Sequence, residues 1–155
     1  MKKTDYNRGW TFQKDGSSEI KTVDLPHDAM IYEPRSLKAK TGDAGAYFEG
    51  GKYIYTKELK INKNDLHKIF ILELESVYQN AEIYLNDEKI TEHAYGYSSI
   101  FADLTNKIKE GINLIKVIAD NSRTPNSRWY SGSGIYRNVS LYSAEKEYIV
   151  PDGIR

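Results

Sequence analysis

Cysteine is absent from the 155 residues. That excludes a disulfide framework and a thiolate metal site, leaves the redox compartment open, and makes packing carry the stability. Charge of either sign is not in excess either: Lys plus Arg and Asp plus Glu total 22 each, a formal net charge of zero. Nucleic acid and anionic membrane surfaces therefore have no electrostatic footprint to meet, and neither is expected as a partner. No apolar run approaches the roughly 20 residues of a membrane span, and the opening "MKKTDYNRGWTF" has no apolar stretch of a secretory signal behind its lysines. The expectation is a soluble chain of undetermined compartment. Helix signals are scarce. "NKNDLHK" predicts one turn capped by Asn62 or Asn64, and "DLTNKIKEG" another ending at Gly111.

What is present is tyrosine and alternation. The chain holds 13 tyrosines against 4 phenylalanines and 2 tryptophans. A flat apolar ring with a polar tip suits half-buried sheet surfaces and also sugar or protein recognition. In "KYIYTKELKI", Tyr53, Tyr55, Leu59 and Ile61 share one face with Lys57, while Ile54, Thr56, Glu58 and Lys60 point away. "IFILELES" sets Phe70, Leu72 and Leu74 against Glu73 and Glu75, and "AEIYLN" sets Ala81, Ile83 and Leu85 against Glu82, Tyr84 and Asn86. Asn86 and Asp87 tolerate the left-handed backbone of a tight hairpin turn. "GINLIKVIAD" is apolar on nearly both faces, as an interior strand is, and "GIYRNVSLYS" alternates Ile135, Val139 and Leu141 with Tyr136, Asn138, Ser140 and Tyr142. Residues 33–51 lack periodicity and read as a long excursion, mobile unless something packs on it. Short strands between turns, without alternating helices, predict an all-β antiparallel sandwich in one domain spanning residues 1–155.

Several chemistries are weighed and set aside. Glu73 and Glu75 lie about 6.6 Å apart by strand rise, but neighbours on one strand project in parallel, whereas a glycosidase pair approaches the sugar from opposed sides. A solvated strand face accounts for them, and no catalytic residue is assigned. His27, His67 and His93 are far apart in sequence and have no ligand spacing, so no metal and no cofactor are expected. His27, in "LPHDAM", is read as structural, with Asp28 holding the imidazole. "SGSG" lacks the strand-turn-helix setting of a nucleophile elbow, and its serines read as exposed turn formers.

There remains "ADNSRTPNSRWYSGSG". Asp120 and Asn121 end a strand, Pro125 stiffens the connection, and Arg128, Trp129 and Tyr130 form a cationic and aromatic triplet before two glycines. An aromatic face stacks on the apolar face of a pyranose while Arg, Asp and Asn supply directional hydrogen bonds to its hydroxyls. On residue types alone, an equally available reading has Trp129 plugging a sandwich edge or an interdomain seam.

The order of "LPHDAMI", "LELESVYQNAEIYLND", "HAYGYSSIFADLT", "GINLIKVIADN" and "NSRWYSGSGIYRNVSL" resembles glycoside hydrolase family 2, in particular the amino-terminal sugar-binding domain of bacterial β-galactosidases and β-glucuronidases. The resemblance covers roughly residues 8–143. It implies a jelly-roll sandwich, similar to galactose-binding domains, that precedes an immunoglobulin-like domain and a (β/α)8 barrel bearing two catalytic glutamates. It also implies a β-linked sugar as substrate. Arg128, Trp129 and Tyr130 would lean toward the barrel around the terminal sugar, with Asp120 and Asn121 supporting that loop. "GGKYIYTKEL" and "YLND" depart from the family pattern, the latter with Asp87 where glycine is frequent. A free-standing carbohydrate-binding module and a purely structural packing domain are the alternatives.

Overall fold

A computed structural model describes residues 1–149 and Gly153. Ten strands build it: β1 (Lys2–Asp5), β2 (Trp10–Lys14), β3 (Ile20–Val23), β4 (Lys52–Ile61), β5 (Ile69–Leu74), β6 (Ala81–Leu85), β7 (Glu88–His93), β8 (Ile100–Asp103), β9 (Gly111–Asp120) and β10 (Val139–Ala144). They pair antiparallel into a four-stranded sheet, β1-β10-β5-β8, and a six-stranded sheet, β3-β2-β4-β9-β6-β7. The fold is an all-β sandwich of the jelly-roll type.

Period two explains the core. Tyr53, Tyr55, Leu59 and Ile61 of β4 face inward beside Ile115, Val117 and Ala119 of β9 and Ala81, Ile83 and Leu85 of β6. Across the gap stand Phe70, Leu72 and Leu74 of β5, Ile100 and Ala102 of β8, and Val139 and Leu141 of β10. Each large aliphatic side chain sealed there contributes about 1.5–3 kcal/mol. Lys57 also lies on the inward face of β4, at its rim. Its ammonium sits 4.6 Å from the Tyr6 ring centroid and donates to the Arg8 carbonyl, so the stem covers apolar surface while the charge stays partnered.

Several sequence expectations are corrected. The turns at Lys63–Asp65 and Thr105–Lys107 are single 3₁₀ turns, neither with a side-chain cap bond, and Gly111 opens β9 instead of closing a helix. β9 is interior within its sheet but buried on one face only, since Ile112 is 64% exposed. The last strand begins at Val139, because residues 132–135 are claimed by other partners described below. Glu73 is buried, not solvated: Lys3 Nζ at 3.2 Å and Tyr142 Oη at 2.8 Å cover its carboxylate. Residues 33–51 are packed. Arg35 and Phe48 form a bridge, Thr41 Oγ1 donates to the Phe48 carbonyl at 2.6 Å, and Tyr47 N to Gly42 O at 2.8 Å.

Candidate functional site

The loop joining β9 to β10 is fastened at its base from both sides. His27 N donates to Ile135 O and Ala29 N to Ser133 O, each at 2.8 Å, while Tyr78 and Gly134 exchange two backbone bonds at 2.8 and 2.9 Å. Gly134 is required there. Its φ is 111°, and a Cβ would stand 2.2 Å from Tyr55 Oη.

Asn121 is the central clamp. It is buried, its Nδ2 donates to Ser133 Oγ (2.8 Å) and Gly132 O (3.1 Å), and its Oδ1 accepts from Asn126 Nδ2 (2.5 Å). One amide thereby ties the strand end to both arms of the loop. Asp120 closes the turn that follows, accepting from the Ser122 hydroxyl at 2.6 Å and amide at 3.0 Å. Partial burial works against its charge, but those two donors win and hold the carboxyl below its ordinary value.

Asp28 is the second clamp, and its role differs from the sequence expectation. It does not hold His27, whose Nδ1 is bonded to Tyr55 Oη at 2.9 Å. Its Oδ1 accepts from the amides of Met30 and Ser133, each at 2.9 Å, and its Oδ2 from Tyr130 Oη at 2.5 Å. The chain bends at Leu25 and Pro26, just ahead of His27, and the Asp28 side chain that follows meets the loop. Burial, then the bond to Asp28, pushes the Tyr130 phenol well above its ordinary range, so the ring stays neutral. Desolvation among Phe12, Tyr32 and Tyr55 pulls His27 below its usual value. His67 pairs with Glu145 and His93 with Ser98 Oγ, so the three histidines occupy three separate places.

On this base the apex is displayed. Trp129 is 63% exposed, with its carbonyl accepting from Ser127 Oγ at 2.5 Å and Ser131 Oγ at 3.3 Å. Arg128 is exposed beside it. Tyr130 packs edge-on against Phe48 of the 33–51 excursion, ring centroids 5.6 Å apart. Ser133, expected as an exposed turn former, is buried within the clamp. The structure thus brings together all five expected residues, but displays only Arg128 and Trp129 to solvent and half-buries Tyr130 and Asp120. Sequence reasoning missed Asp28 as a loop clamp, Phe48 as a buttress, and Gln79, whose carbonyl accepts from Asp120 N at 2.8 Å.

No sugar fits inside. The space enclosed between Met30, Thr41, Gly45, Asn126 and Trp129 is about 10 Å³, room for about one water. A wider depression of about 450 Å³ lies over Phe12, Lys21, His27 and Tyr32 and takes in none of the apex. What the apex offers is an aromatic face and a guanidinium on a rigid mount, open on one side.

Residues 17–145 match the family described as "Glycosyl hydrolases family 2, sugar binding domain". The chain is 38% identical over 150 residues to beta-galactosidase BoGH2A of Bacteroides ovatus, covering 90% of this chain and 18% of that protein. It is 30% identical to a protein of Formosa agariphila named a putative beta-glucuronidase, covering 97% of this chain and 16% of that one. Among solved structures, a family 2 member from Bacteroides cellulosilyticus superposes with a TM-score of 0.85 at 30% identity, over 94% of this chain and 21% of the other. A beta-glycosidase from Bacteroides vulgatus gives 0.86 at 28% identity, with 94% and 20% covered. The chain therefore spans about a fifth of the proteins it resembles.

Proposed function

The chain belongs to the sugar-binding domain of family 2 of the glycosyl hydrolases, and from that membership we propose that it is a non-catalytic part of a larger glycosidase. In this reading it forms one wall of the entrance through which a β-linked sugar reaches a catalytic barrel. The observation that carries the proposal is the exposed indole of Trp129, held on a loop whose base is buried and fully hydrogen-bonded. An exposed aromatic on a preorganised mount loses little freedom on binding, which is where a small contact gains most. Trp129 stacks on the pyranose face and Arg128 directs its fork of donors to ring hydroxyls. Tyr130 and Asn121, whose side-chain polar atoms are committed within the chain, and Asp120, whose Oδ1 holds the turn at Ser122, position the loop. The relative named a β-galactosidase, at the higher identity of the two, makes β-galactosides the first substrates to test.

The purified 155 residues are expected to hydrolyse neither chromogenic β-galactosides nor β-glucuronides; turnover that depends on Glu73 or Glu75 overturns the reading. In the parent enzyme, Trp129→Ala is expected to raise KM about tenfold (about 1.4 kcal/mol) at unchanged thermal stability. An unchanged KM with a lowered melting temperature would make the loop a packing element instead. Sub-millimolar galactose binding by the chain alone, lost in Trp129→Ala, would make it a free-standing module.

A further inference from the structure

Beside the rim loop runs a ladder of tyrosines that the entrance does not use. Tyr78 is buried, and its hydroxyl donates to Asn126 Oδ1 at 3.1 Å, so the ladder starts at the rim loop itself. Tyr97 lies 5.4 Å from Tyr78 between centroids and Tyr95 lies 5.6 Å from Tyr97. The last two are 50% and 62% exposed. They flank Gly96, whose backbone rests on the Tyr78 ring so closely that a Cβ would stand 2.3 Å from its Cδ2. The Gly96 carbonyl accepts two hydrogen bonds, from buried Ser76 Oγ and from Tyr136 Oη, each at 2.7 Å. A backbone carbonyl with both lone pairs engaged does not drift, so the backbone between the two exposed rings is held in place. Next to them, Asn80, Glu82, Glu92 and His93 line a cleft of about 230 Å³.

We propose that Tyr95 and Tyr97 form a second carbohydrate surface, which takes the units of a neutral β-linked oligosaccharide lying beyond the sugar at Trp129. The ligand class rests on the sugar-handling reading above. Three observations favour a glycan as occupant. The rings stand at 61° to each other, forming a corner that a flat crystalline polysaccharide would not follow and a single twisted chain does. The exposed area is small: fully buried rings of this kind cover about 150–250 Å² each, so two half-exposed ones offer well under the roughly 800 Å² per partner of a stable protein interface. The adjoining cleft is lined by the hydrogen-bonding side chains of Asn80, Glu82, Glu92 and His93, groups that suit the hydroxyls of a sugar unit.

The test is a titration of the 155-residue chain, carrying isotope-labelled tyrosine and tryptophan, with galactose, β-1,4-galactotetraose and cellotetraose. A tetraose is expected to shift the Tyr95 and Tyr97 ring signals, and galactose to shift Trp129 alone. The double variant Tyr95→Ala, Tyr97→Ala is expected to weaken tetraose binding about tenfold, and the double Phe variant to keep it within about twofold, since the faces do the stacking. If the tetraoses shift Trp129 and leave both tyrosines unmoved, the second surface is refuted and the entrance reading stands. If they move the tyrosines and not Trp129, the second surface stands and the rim assignment fails. If neither tetraose moves Tyr95 or Tyr97, the proposal is wrong.

Discussion

Asp28 gathers three donors on two oxygens, and its partners are 2, 102 and 105 residues away in the chain. Removing the phenol bond in Tyr130→Phe is expected to cost about 1–2 kcal/mol, discounted from the value for a buried charged bond because the ring is half exposed. Urea unfolding measures the cost, and the Trp129 signals should broaden as the apex loosens. His27 supplies a pH dependence. Burial lowers its folded pKa below the unfolded 6.5, so in that window the unfolded chain binds more protons. Stability from this group is complete above the unfolded value and falls as pH drops through it toward the folded one. Midpoints measured between about pH 7 and about pH 5 should therefore decline, and His27→Gln, which keeps a partner for Tyr55, should flatten the decline. At this scale the sequence announced Arg128, Trp129 and Asn121 by type and clustering. Local pattern gives Asp28 the wrong partner, His27, and Phe48 none, because Tyr130 lies 80 or more residues downstream of both and nothing in such a pattern records that meeting.

Strands β4, β6 and β9 were legible because each buries one face over five to ten residues, which writes period two into the chain, and β5, buried on both faces, was legible from the alternation of its apolar residues with Glu73. Strands β1, β2, β3 and β8 were not. They have four or five residues, too few to establish a period even where β8 alternates, and β1 and β3 are edge strands with exposed side chains almost throughout, which hydrogen bonding to a neighbour defines. The β6–β7 hairpin was legible from its turn residues: Asn86 and Asp87 have φ of 50° and 65°, the primed geometry that matches strand twist. Asp87 makes only an exposed ion pair with Lys116, whereas Asn86 bonds Leu114 N and Asn113 Oδ1. Asp87→Gly is accordingly expected to stabilise the chain by about 0.5–1 kcal/mol, and Asn86→Gly to give no such gain. Thermal denaturation of the two variants separates these outcomes.

Across the whole molecule the ion pairs lie mostly at the surface, where the Lys107–Glu88 and Lys89–Glu92 contacts are typical. With a net charge of zero there is little overall repulsion to screen. Raising salt from low ionic strength to about 1 M is expected to change unfolding free energy by less than about 1 kcal/mol, whereas Leu72→Ala, at a site with no exposure, is expected to cost about 2–5 kcal/mol. The sandwich is thus set by its apolar layers, and the site is carried by segments outside them. The contact of Phe48 with Tyr130 shows where that division leads. Residues 33–51 reach the apex without adding a strand to either sheet, so, on the function proposed above, an insertion at their exposed positions would alter the width of the aperture beside Trp129 while the sheets keep their pairing. On that same proposal, selectivity would shift there by changes of loop length that leave the two apolar layers as they are.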